Sequence, residues 1–308
     1  IRFKDGGRLE TPLECLGPTS KHGTCVTFKP DPKIFSTVDF KWDVIYNHLQ
    51  ESAFLLRKVK FILKDERTNN EAEFYYENGI SEYISIINQS KQPLGPIIDF
   101  TDNSGDIQIE VAFQYCLNEY SETIYSYVNN VRTRDGGTHE TGFRLGITKA
   151  VNDFAESNNL LRGKGKLEGS DIREGLTAIV SLRMPENLLE FEGQTKGKLG
   201  TQQAVSAVSN LVYTKFTYYL NENKEFAVNL IKKCLDSQTA RIAARKAKEE
   251  IRNKKQKKEA LILSDKLTPA QGKDYALNEL FIVEGDSAGG SAKKGRNPRF
   301  QAILPLRG

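Results

Sequence analysis

The chain has 308 residues, of which 38% are hydrophobic and 27% are charged, so it is long enough for about two domains with buried cores. This composition excludes an intrinsically disordered chain, a collagen and a small disulfide-stapled scaffold. The net charge of +4 conceals a basic run at residues 241–258, where nine Lys or Arg oppose two Glu, so the rest of the chain is net negative.

The N-terminal part alternates between strand and helix patterns. Alternating apolar residues predict a strand over residues 23–29, and apolar residues at helical spacing predict a helix over 42–56. Further strands are predicted over 59–63 and 74–76, with a polar turn between them. This order is typical of an α/β layer.

A second unit is predicted to begin near Gly79. Strict alternation predicts a half-buried strand over residues 107–115, and residues 124–131 are expected to be its hairpin partner. A glycine-rich loop at 134–139 then leads into a helix, and residues 176–182 form a β-rich run. The expected order of this unit is therefore β-β-α-β.

Two long helices are predicted after the loop at residues 192–200. Thr201 is a plausible N-cap for the first, and the second, over about 224–255, ends in the basic run. Such helices suggest a lever or stalk. The fully apolar run at residues 280–283 predicts a short buried strand after them.

The ends of the chain and its cysteines also carry information. The chain begins with Ile1 and has its only methionine at Met184, so we expect a piece of a longer protein. No run approaches 18 apolar residues and no signal peptide is visible, so we expect no membrane segment. The four cysteines match neither a zinc ribbon nor a redox pair, which favours unpaired thiols in a reducing cytoplasm.

The segment with the strongest chemical signal is residues 280–291. A strand that ends in Glu284 places a carboxylate at the edge of a sheet, and the glycines that follow allow a ligand to approach closely. Glu284 with Asp286 is a poor cage for Mg²⁺, so further carboxylates are expected from outside this piece. A plain strand-turn-helix corner is the alternative, whereas a serine nucleophile is disfavoured because no histidine has a recognisable partner motif.

Two loops and the basic run each allow two interpretations. In the loop at 192–200, Gln194 and Lys196 supply an amide and a cation that suit a terminal phosphate, although a solvated loop has the same composition. The turn at 135–139 precedes a helix and either binds an anion or is an ordinary turn. The basic run is either a solvated helix end or a contact for a polyanion such as DNA.

Taken together, these segments resemble the B-type subunit of bacterial type II topoisomerases. The segments that carry the resemblance are HGTCVTFKPD (22–31) for its ATPase domain, VNNVRTRDGGTHETGF (128–143) and DIREGLTAIVS (171–181) for its transducer domain, EGQTKGKLG (192–200) for its ATP-sensing loop, and EGDSAGGSAKKGR (284–296) with QAILPLRG (301–308) for its Toprim domain. Within this family, residues 128–139, 188–193 and 267–271 are nearer to the topoisomerase IV type than to gyrase.

The resemblance implies a fold class and domain bounds. It implies the end of a GHKL-type ATPase α/β sandwich over residues 1–78 and a ribosomal-S5-like βαβ transducer domain with a long helical stalk over 79–260. A linker and the start of a Toprim α/β domain are implied over 261–308. The family's catalytic Glu for ATP hydrolysis is expected before Ile1, and the Asp-x-Asp of its metal site after Gly308.

The resemblance also assigns roles to single residues. Thr24, Gln194 and Lys196 would bind ATP, with Lys196 on the γ-phosphate. Glu284 would bind Mg²⁺ and act as general acid or base at the cleaved phosphodiester. The residues that would contact DNA are Lys293, Arg307, Lys254, Lys255, Lys257 and Lys258.

The implied function is that of a B-type subunit that couples ATP binding and hydrolysis to double-strand DNA passage, in decatenation and relaxation. The implied partners are DNA, a second copy of the B-type subunit and an A-type subunit, in a cytoplasmic, nucleoid-associated heterotetramer with two copies of each. The alternatives are a gyrase B-type subunit, which introduces negative supercoils, and a scaffold homologue that has lost the chemistry. The fragment alone is expected to be inactive.

Overall fold

The computed structural model describes residues 1–161, 163, 165–272, 274 and 276–306, and their side chains except those of residues 253–265. This part forms two compact units, one of Ile1–Ala150 with Gly175–Phe226 and the other of Val151–Glu174 with Ala227–Gly308. None of the helices in the described ranges has the length and apolarity that a membrane span requires.

Strands and helices alternate through most of the chain. The strands are β1 (Arg2–Lys4), β2 (Arg8–Thr11), β3 (Phe61–Asp65), β4 (Asn70–Phe74), β5 (Ile98–Ser104), β6 (Ile107–Tyr115), β7 (Thr123–Val128), β8 (Val131–Arg132), β9 (Leu176–Arg183), β10 (Phe191–Glu192), β11 (Lys198–Leu199), β12 (Glu279–Glu284) and β13 (Gln301–Leu306). The helices are α1 (Trp42–Leu55), α2 (Ile80–Ile87), α3 (Thr138–Ser157), α4 (Gly169–Ile172), α5 (Gln203–Glu222), α6 (Lys224–Lys266) and α7 (Gly285–Gly295).

A five-stranded mixed sheet in the order β5-β6-β9-β7-β8 forms the centre of the first unit. Helices cover both of its faces. On one face the ring of Phe113 meets Phe143 of α3 and Phe216 of α5 edge-on, with centroids 5.9 and 5.1 Å apart. On the other face Ile80 and Ile84 of α2 pack in one buried cluster with residues of β6, β7 and β9. This two-sided cover explains why β9 is buried over almost its whole length.

Helix α1 is tied to this sheet by aromatic stacking and by one carboxylate. The ring of Phe54 stacks between Tyr76 and Tyr83, with centroids 3.8 and 4.5 Å away. Glu51 accepts hydrogen bonds from the hydroxyl groups of Tyr83 and Tyr127 and from the Arg132 guanidinium. Burial, with the nearby Glu51 charge, raises the pKa of Tyr83 to about 12, so its hydroxyl stays protonated and continues to donate.

In the second unit, residues 165–174, which include α4, pack on α6 through polar contacts. The Arg241 guanidinium donates to both carboxylate oxygens of Asp171, at 2.7 and 3.0 Å, and to Glu168 at 2.7 Å. One turn earlier on the helix, the Ser237 hydroxyl donates to Glu174 at 2.6 Å. The buried Asp171 carboxylate is therefore paired from two sides, because it also accepts the backbone N–H of Glu168.

Most predicted elements are confirmed, but the pairing predicted for residues 124–131 is wrong. The strand β7 does not pair with β6; it lies beside β9 in parallel and beside β8 antiparallel. The neighbours of β6 are β5 and β9, both antiparallel. A parallel neighbour needs a long crossover connection, which α3 supplies here, and local alternation of apolar residues cannot reveal that crossover.

Three further expectations are corrected. Residues 23–29 form no strand, because no strand in the described part of the chain pairs with them. The strand β12 is exposed rather than buried, with Leu280 54% exposed, because β13 is its one sheet partner among the described residues. Thr201 does not cap α5; its hydroxyl instead donates to Leu188 C=O at 2.7 Å.

Candidate functional site

The loop that contains Gln194 and Lys196, residues 193–197, is called the Lys196 loop. It connects β10 to β11, which pair antiparallel. Both side chains are exposed. Across the hairpin, Lys198 forms an ion pair with Glu192 at 2.9 Å, whereas Lys196 has no ion-pair partner among the described residues. The Lys196 ammonium lies 5.8 Å from the centroid of the Phe191 ring. The loop therefore presents an accessible cation that is not neutralised by a neighbouring carboxylate.

The backbone of this loop is bound to the turn that precedes α3. The N–H of Asp135 donates to Gly197 C=O at 2.9 Å, and the N–H of Leu199 donates to Gly136 C=O at 3.2 Å. Gly137 forms a parallel bridge with Leu199, and a Cβ on Gly137 would lie 2.5 Å from the Leu199 carbonyl oxygen. The glycine is thus required by the close approach of the two backbones.

Beneath this turn lies a cluster of buried polar side chains that the sequence did not predict as a group. The hydroxyl groups of Ser126 and Thr133 are 2.6 Å apart, and Ser126 donates to Glu140 at 2.7 Å. The Nε2 atom of His139 is 3.1 Å from the Thr133 hydroxyl. Burial lowers the pKa of His139 to about 4, so the imidazole is neutral at physiological pH.

The turn at residues 135–139 was predicted either to bind an anion or to be an ordinary turn. In the structure, the backbone of residues 197–199 lies against it. Leu199 lies against Gly136 and Gly137 in the positions described above. The turn is therefore a docking point for the Lys196 loop. His139 was within the predicted segment, but Ser126 and Glu140 were not singled out by any sequence signal.

Thr24 lies in an irregular, exposed segment between β2 and α1. No hydrogen bond within the described residues joins it to Gln194 or Lys196. Its assignment to ATP binding stays a prediction.

Glu284 is the last residue of β12 and occupies the N-cap position of α7. The strands β12 and β13 are parallel neighbours, with α7 as the connection between them. The helix packs closely on β13, because a Cβ on Gly289 would lie 3.0 Å from Pro305. Glu284 and Asp286 are both exposed at this corner.

The carboxylates of this corner do not make a complete metal site. Within the described ranges, no group of three or more His, Cys, Asp or Glu side chains is placed to hold a metal ion. Because Mg²⁺ takes oxygen ligands in octahedral geometry, Glu284 and Asp286 do not suffice for it alone. The Mg²⁺ site at Glu284 therefore stays a prediction.

The predicted DNA contacts are described only in part. Lys254, Lys255, Lys257 and Lys258 belong to helix α6, but their side chains lie outside the described residues. Lys293 is exposed in the last turn of α7. Arg307 lies outside the described residues.

Comparison with known proteins supports the family assignment. The profile of the family described as DNA gyrase B matches residues 79–250, which is more than half of the chain. The chain belongs to the DNA gyrase B family. The matched region includes all strands of the five-stranded sheet, the Lys196 loop and α5.

Curated relatives match over the full chain. The chain is 52% identical over 309 residues to the B subunit of DNA topoisomerase 4 from Bacillus subtilis, and the match covers 100% of this chain and 47% of the relative. The corresponding protein of Streptococcus pneumoniae is 54% identical over 311 residues, and the match covers 100% of this chain and 48% of that protein. The chain thus spans about half the length of the curated relatives it matches.

Solved structures agree with the fold. The 43K ATPase domain of Thermus thermophilus gyrase B, in complex with an aminocoumarin, matches with a TM-score of 0.64 and 34% identity over 72% of this chain and 60% of that chain. The topoisomerase IV ATP-binding domain of Francisella tularensis has a TM-score of 0.61 over 69% of this chain and 57% of that chain, and its 24% identity speaks for the fold alone.

These matches confirm two predictions. The resemblance to the B-type subunits of bacterial type II topoisomerases, nearer to topoisomerase IV than to gyrase, agrees with the curated relatives. The predicted mixed fold class agrees with the solved gyrase B and topoisomerase IV domains. The domain bounds at residues 78 and 260 and the roles of single residues stay predictions.

Proposed function

We propose that this chain is the part of a topoisomerase IV B-type subunit that couples ATP binding to double-strand DNA passage. The family profile supports a B-type subunit, and the curated topoisomerase 4 relatives support this function over the gyrase alternative. The proposed domains are the end of an ATPase domain over residues 1–78, a transducer over 79–260, and a linker with the start of a Toprim domain over 261–308.

The observation that carries the proposal is that Lys196 is exposed on a loop whose C-terminal end is hydrogen bonded to the turn before α3. An ammonium without a carboxylate partner suits a terminal phosphate, because the phosphate oxygens then compete with water alone. Immediately after the loop the chain enters α5, and only Asn223 separates α5 from α6. A displacement of Lys196 would therefore act directly on the start of the helical stalk.

The other proposed contacts follow the same division of the chain. Thr24 and Gln194 would take part in binding ATP. Glu284 would contribute one carboxylate to a Mg²⁺ site completed by residues outside the described part, near the phosphodiester that an A-type subunit cleaves. The positive charge of α6 at residues 241–258 would face the DNA duplex that is passed.

The first test uses full-length protein that carries this chain, assembled with its A-type subunit. Lys196→Ala should abolish ATP-dependent decatenation and weaken the binding of a non-hydrolysable ATP analogue by about tenfold or more, since it removes a charged contact to the phosphate. Lys198→Ala is the matched control, because this nearby lysine is already paired with Glu192. Equal effects of the two substitutions would contradict the role of Lys196.

The second test concerns DNA. Neutralising Lys254, Lys255, Lys257 and Lys258 to Gln should reduce the slope of log affinity against log salt by up to about 4, if each lysine neutralises one phosphate. The control neutralises Lys60 and Lys64, two exposed lysines of the β3–β4 hairpin region. An unchanged salt slope and unchanged DNA-stimulated ATPase activity would exclude the basic run from the DNA path.

A further inference from the structure

The shortest contacts of the buried cluster under the Lys196 loop give one order of hydrogen-bond donors, and the Ser126 and Thr133 hydroxyl groups also lie 3.2 and 3.0 Å from each other's backbone carbonyl oxygens. Ser126 has one hydroxyl proton, and the nearby Glu140 carboxylate, 2.7 Å away, can only accept it. The 2.6 Å contact between the two hydroxyl groups must then be donated by Thr133. Because the Thr133 proton is used in this way, the bond to His139 must be donated by the imidazole Nε2–H.

The result is a continuous chain from a buried imidazole to a buried carboxylate. His139 donates to Thr133, Thr133 to Ser126, and Ser126 to Glu140, whose other oxygen is paired with Arg144 at 3.1 Å. His139 is 0% exposed and Glu140 is 8% exposed. Removing a member of this chain would break a buried hydrogen bond, which costs free energy, so the chain favours one arrangement of the four side chains. The Nδ1 atom of His139 has no hydrogen-bond partner among the described residues.

This chain lies directly against the turn that binds the Lys196 loop. A Cβ on Gly136 would be 2.9 Å from a Glu140 carboxylate oxygen. The N–H of Gly136 donates to Thr133 C=O at 3.1 Å, and Gly136 C=O in turn accepts the N–H of Leu199. Gly136, which is hydrogen bonded to the end of the Lys196 loop, thus lies against the Glu140 carboxylate and is hydrogen bonded to the backbone of Thr133.

The helix that carries His139 also contacts the helix that follows the loop. A Cβ on Gly142 would lie 2.6 Å from Val205 C=O, and one on Gly146 would lie 2.8 Å from Ser209 C=O. Helices α3 and α5 thus approach each other at backbone distance. The segment from Gly197 through α5 consequently rests on the turn before α3 at its beginning and on α3 itself further along.

We propose that the chain His139–Thr133–Ser126–Glu140 is a positioning device that holds the Lys196 loop where it can reach the terminal phosphate of a nucleoside triphosphate. This inference rests on the proposed function, because it assumes that Lys196 contacts that phosphate. His139 itself touches no nucleotide; it acts through Thr133, Gly136 and Leu199. Its effect should accordingly be confined to ligands that carry the terminal phosphate.

The experiment measures the dissociation constants of a non-hydrolysable ATP analogue and of ADP in the full-length protein. His139→Leu removes the first donor and should weaken the binding of the analogue by about tenfold, which is the size of one lost charged contact. The dissociation constant of ADP should change by less than about twofold. His139→Gln restores a side-chain N–H donor and should recover most of the affinity. Ser126→Ala, a smaller change in the middle of the chain, should have the same selective effect.

Two controls separate positioning from general damage. Ile147→Val shortens another fully buried side chain of α3 away from the cluster and should leave the ratio of analogue to ADP affinity unchanged. The double variant His139→Leu/Lys196→Ala should bind the analogue no more weakly than Lys196→Ala alone, since both act through one contact. Parallel losses for analogue and ADP, additive losses in the double variant, or no loss in either cluster variant would overturn the proposal.

The outcome with Lys196→Ala distinguishes a failure of the positioning role from a failure of the proposed function. If Lys196→Ala lowers analogue affinity selectively and His139→Leu does not, the positioning role fails and the proposed function stands. If Lys196→Ala has no selective effect, the phosphate contact itself is wrong and the positioning role falls with it.

Discussion

The buried imidazole of His139 predicts a specific dependence of stability on pH. Burial lowers the pKa of His139 to about 4 in the folded protein, whereas an unfolded histidine titrates near 6.5. Between these values the unfolded state binds a proton that the folded state does not. The contribution of His139 to stability is therefore complete above pH 6.5 and is lost progressively as the pH falls toward 4.

The size of this effect follows from the difference between the two pKa values. One unit corresponds to about 1.4 kcal/mol, so the free energy of unfolding should fall by about 3 kcal/mol between pH 7 and pH 4 from this residue. Carboxylates that become protonated over the same range add a background. His139→Gln removes the titrating group and leaves that background in place, so the difference between wild type and variant isolates the histidine.

The assay is urea unfolding followed by far-ultraviolet circular dichroism at half-unit steps from pH 4 to pH 8. The difference in the free energy of unfolding between wild type and His139→Gln should be constant above pH 6.5. At lower pH the wild type should lose stability relative to the variant. Ile147→Val is the control, because it changes a buried side chain of α3 without adding or removing a titrating group and should give a curve parallel to wild type. A wild-type curve parallel to that of His139→Gln at every pH would refute the assignment of a neutral, buried imidazole.

Three further substitutions, the last with a matched control, test the packing within the two units. Gly142→Ala should destabilise the chain by about 1–3 kcal/mol in the same unfolding assay, because the new methyl group meets the backbone of α5. Gly290→Ala, in a part of α7 where nothing lies within 4 Å, should instead stabilise it by about 0.5–1 kcal/mol. Arg241→Ala should lower the thermal midpoint by several degrees, because it leaves the buried Asp171 carboxylate short of a partner, whereas Arg245→Ala on the next turn should hardly change it.

Local sequence patterns predicted elements well where neighbours in sequence are also neighbours in space. Helix α1 was predicted over 42–56 and runs from Trp42 to Leu55, and β6 was predicted over 107–115 and has these bounds. Patterns failed where the partner is remote. The parallel pairing of β7 with β9 depends on a crossover through α3, and the alternation over residues 23–29 has no strand to pair with in the described part of the chain.

In the candidate site, too, sequence patterns identified residues that are close in sequence and missed those brought together by the fold. Lys196 and Gln194 were identified from loop composition and from the family resemblance, and the structure places them on an exposed loop. The buried cluster was not identified, because Ser126 and Glu140 are 14 residues apart and are brought together by β7 and α3. Neither residue departs from what a strand or a helix commonly carries, so only the fold reveals that they form one network.

If Lys196 contacts a phosphate as proposed, the conformation of its backbone has an energetic consequence for that contact. Its φ of 54° lies in the left-handed region, which costs a non-glycine residue about 1–2 kcal/mol relative to ordinary conformations. If Lys196 moves to an extended conformation when it reaches a phosphate, this strain is released at that step. A release of about 1 kcal/mol corresponds to roughly fivefold in affinity. The loop would then favour nucleotide binding through its own resting conformation, in addition to the charge that it presents.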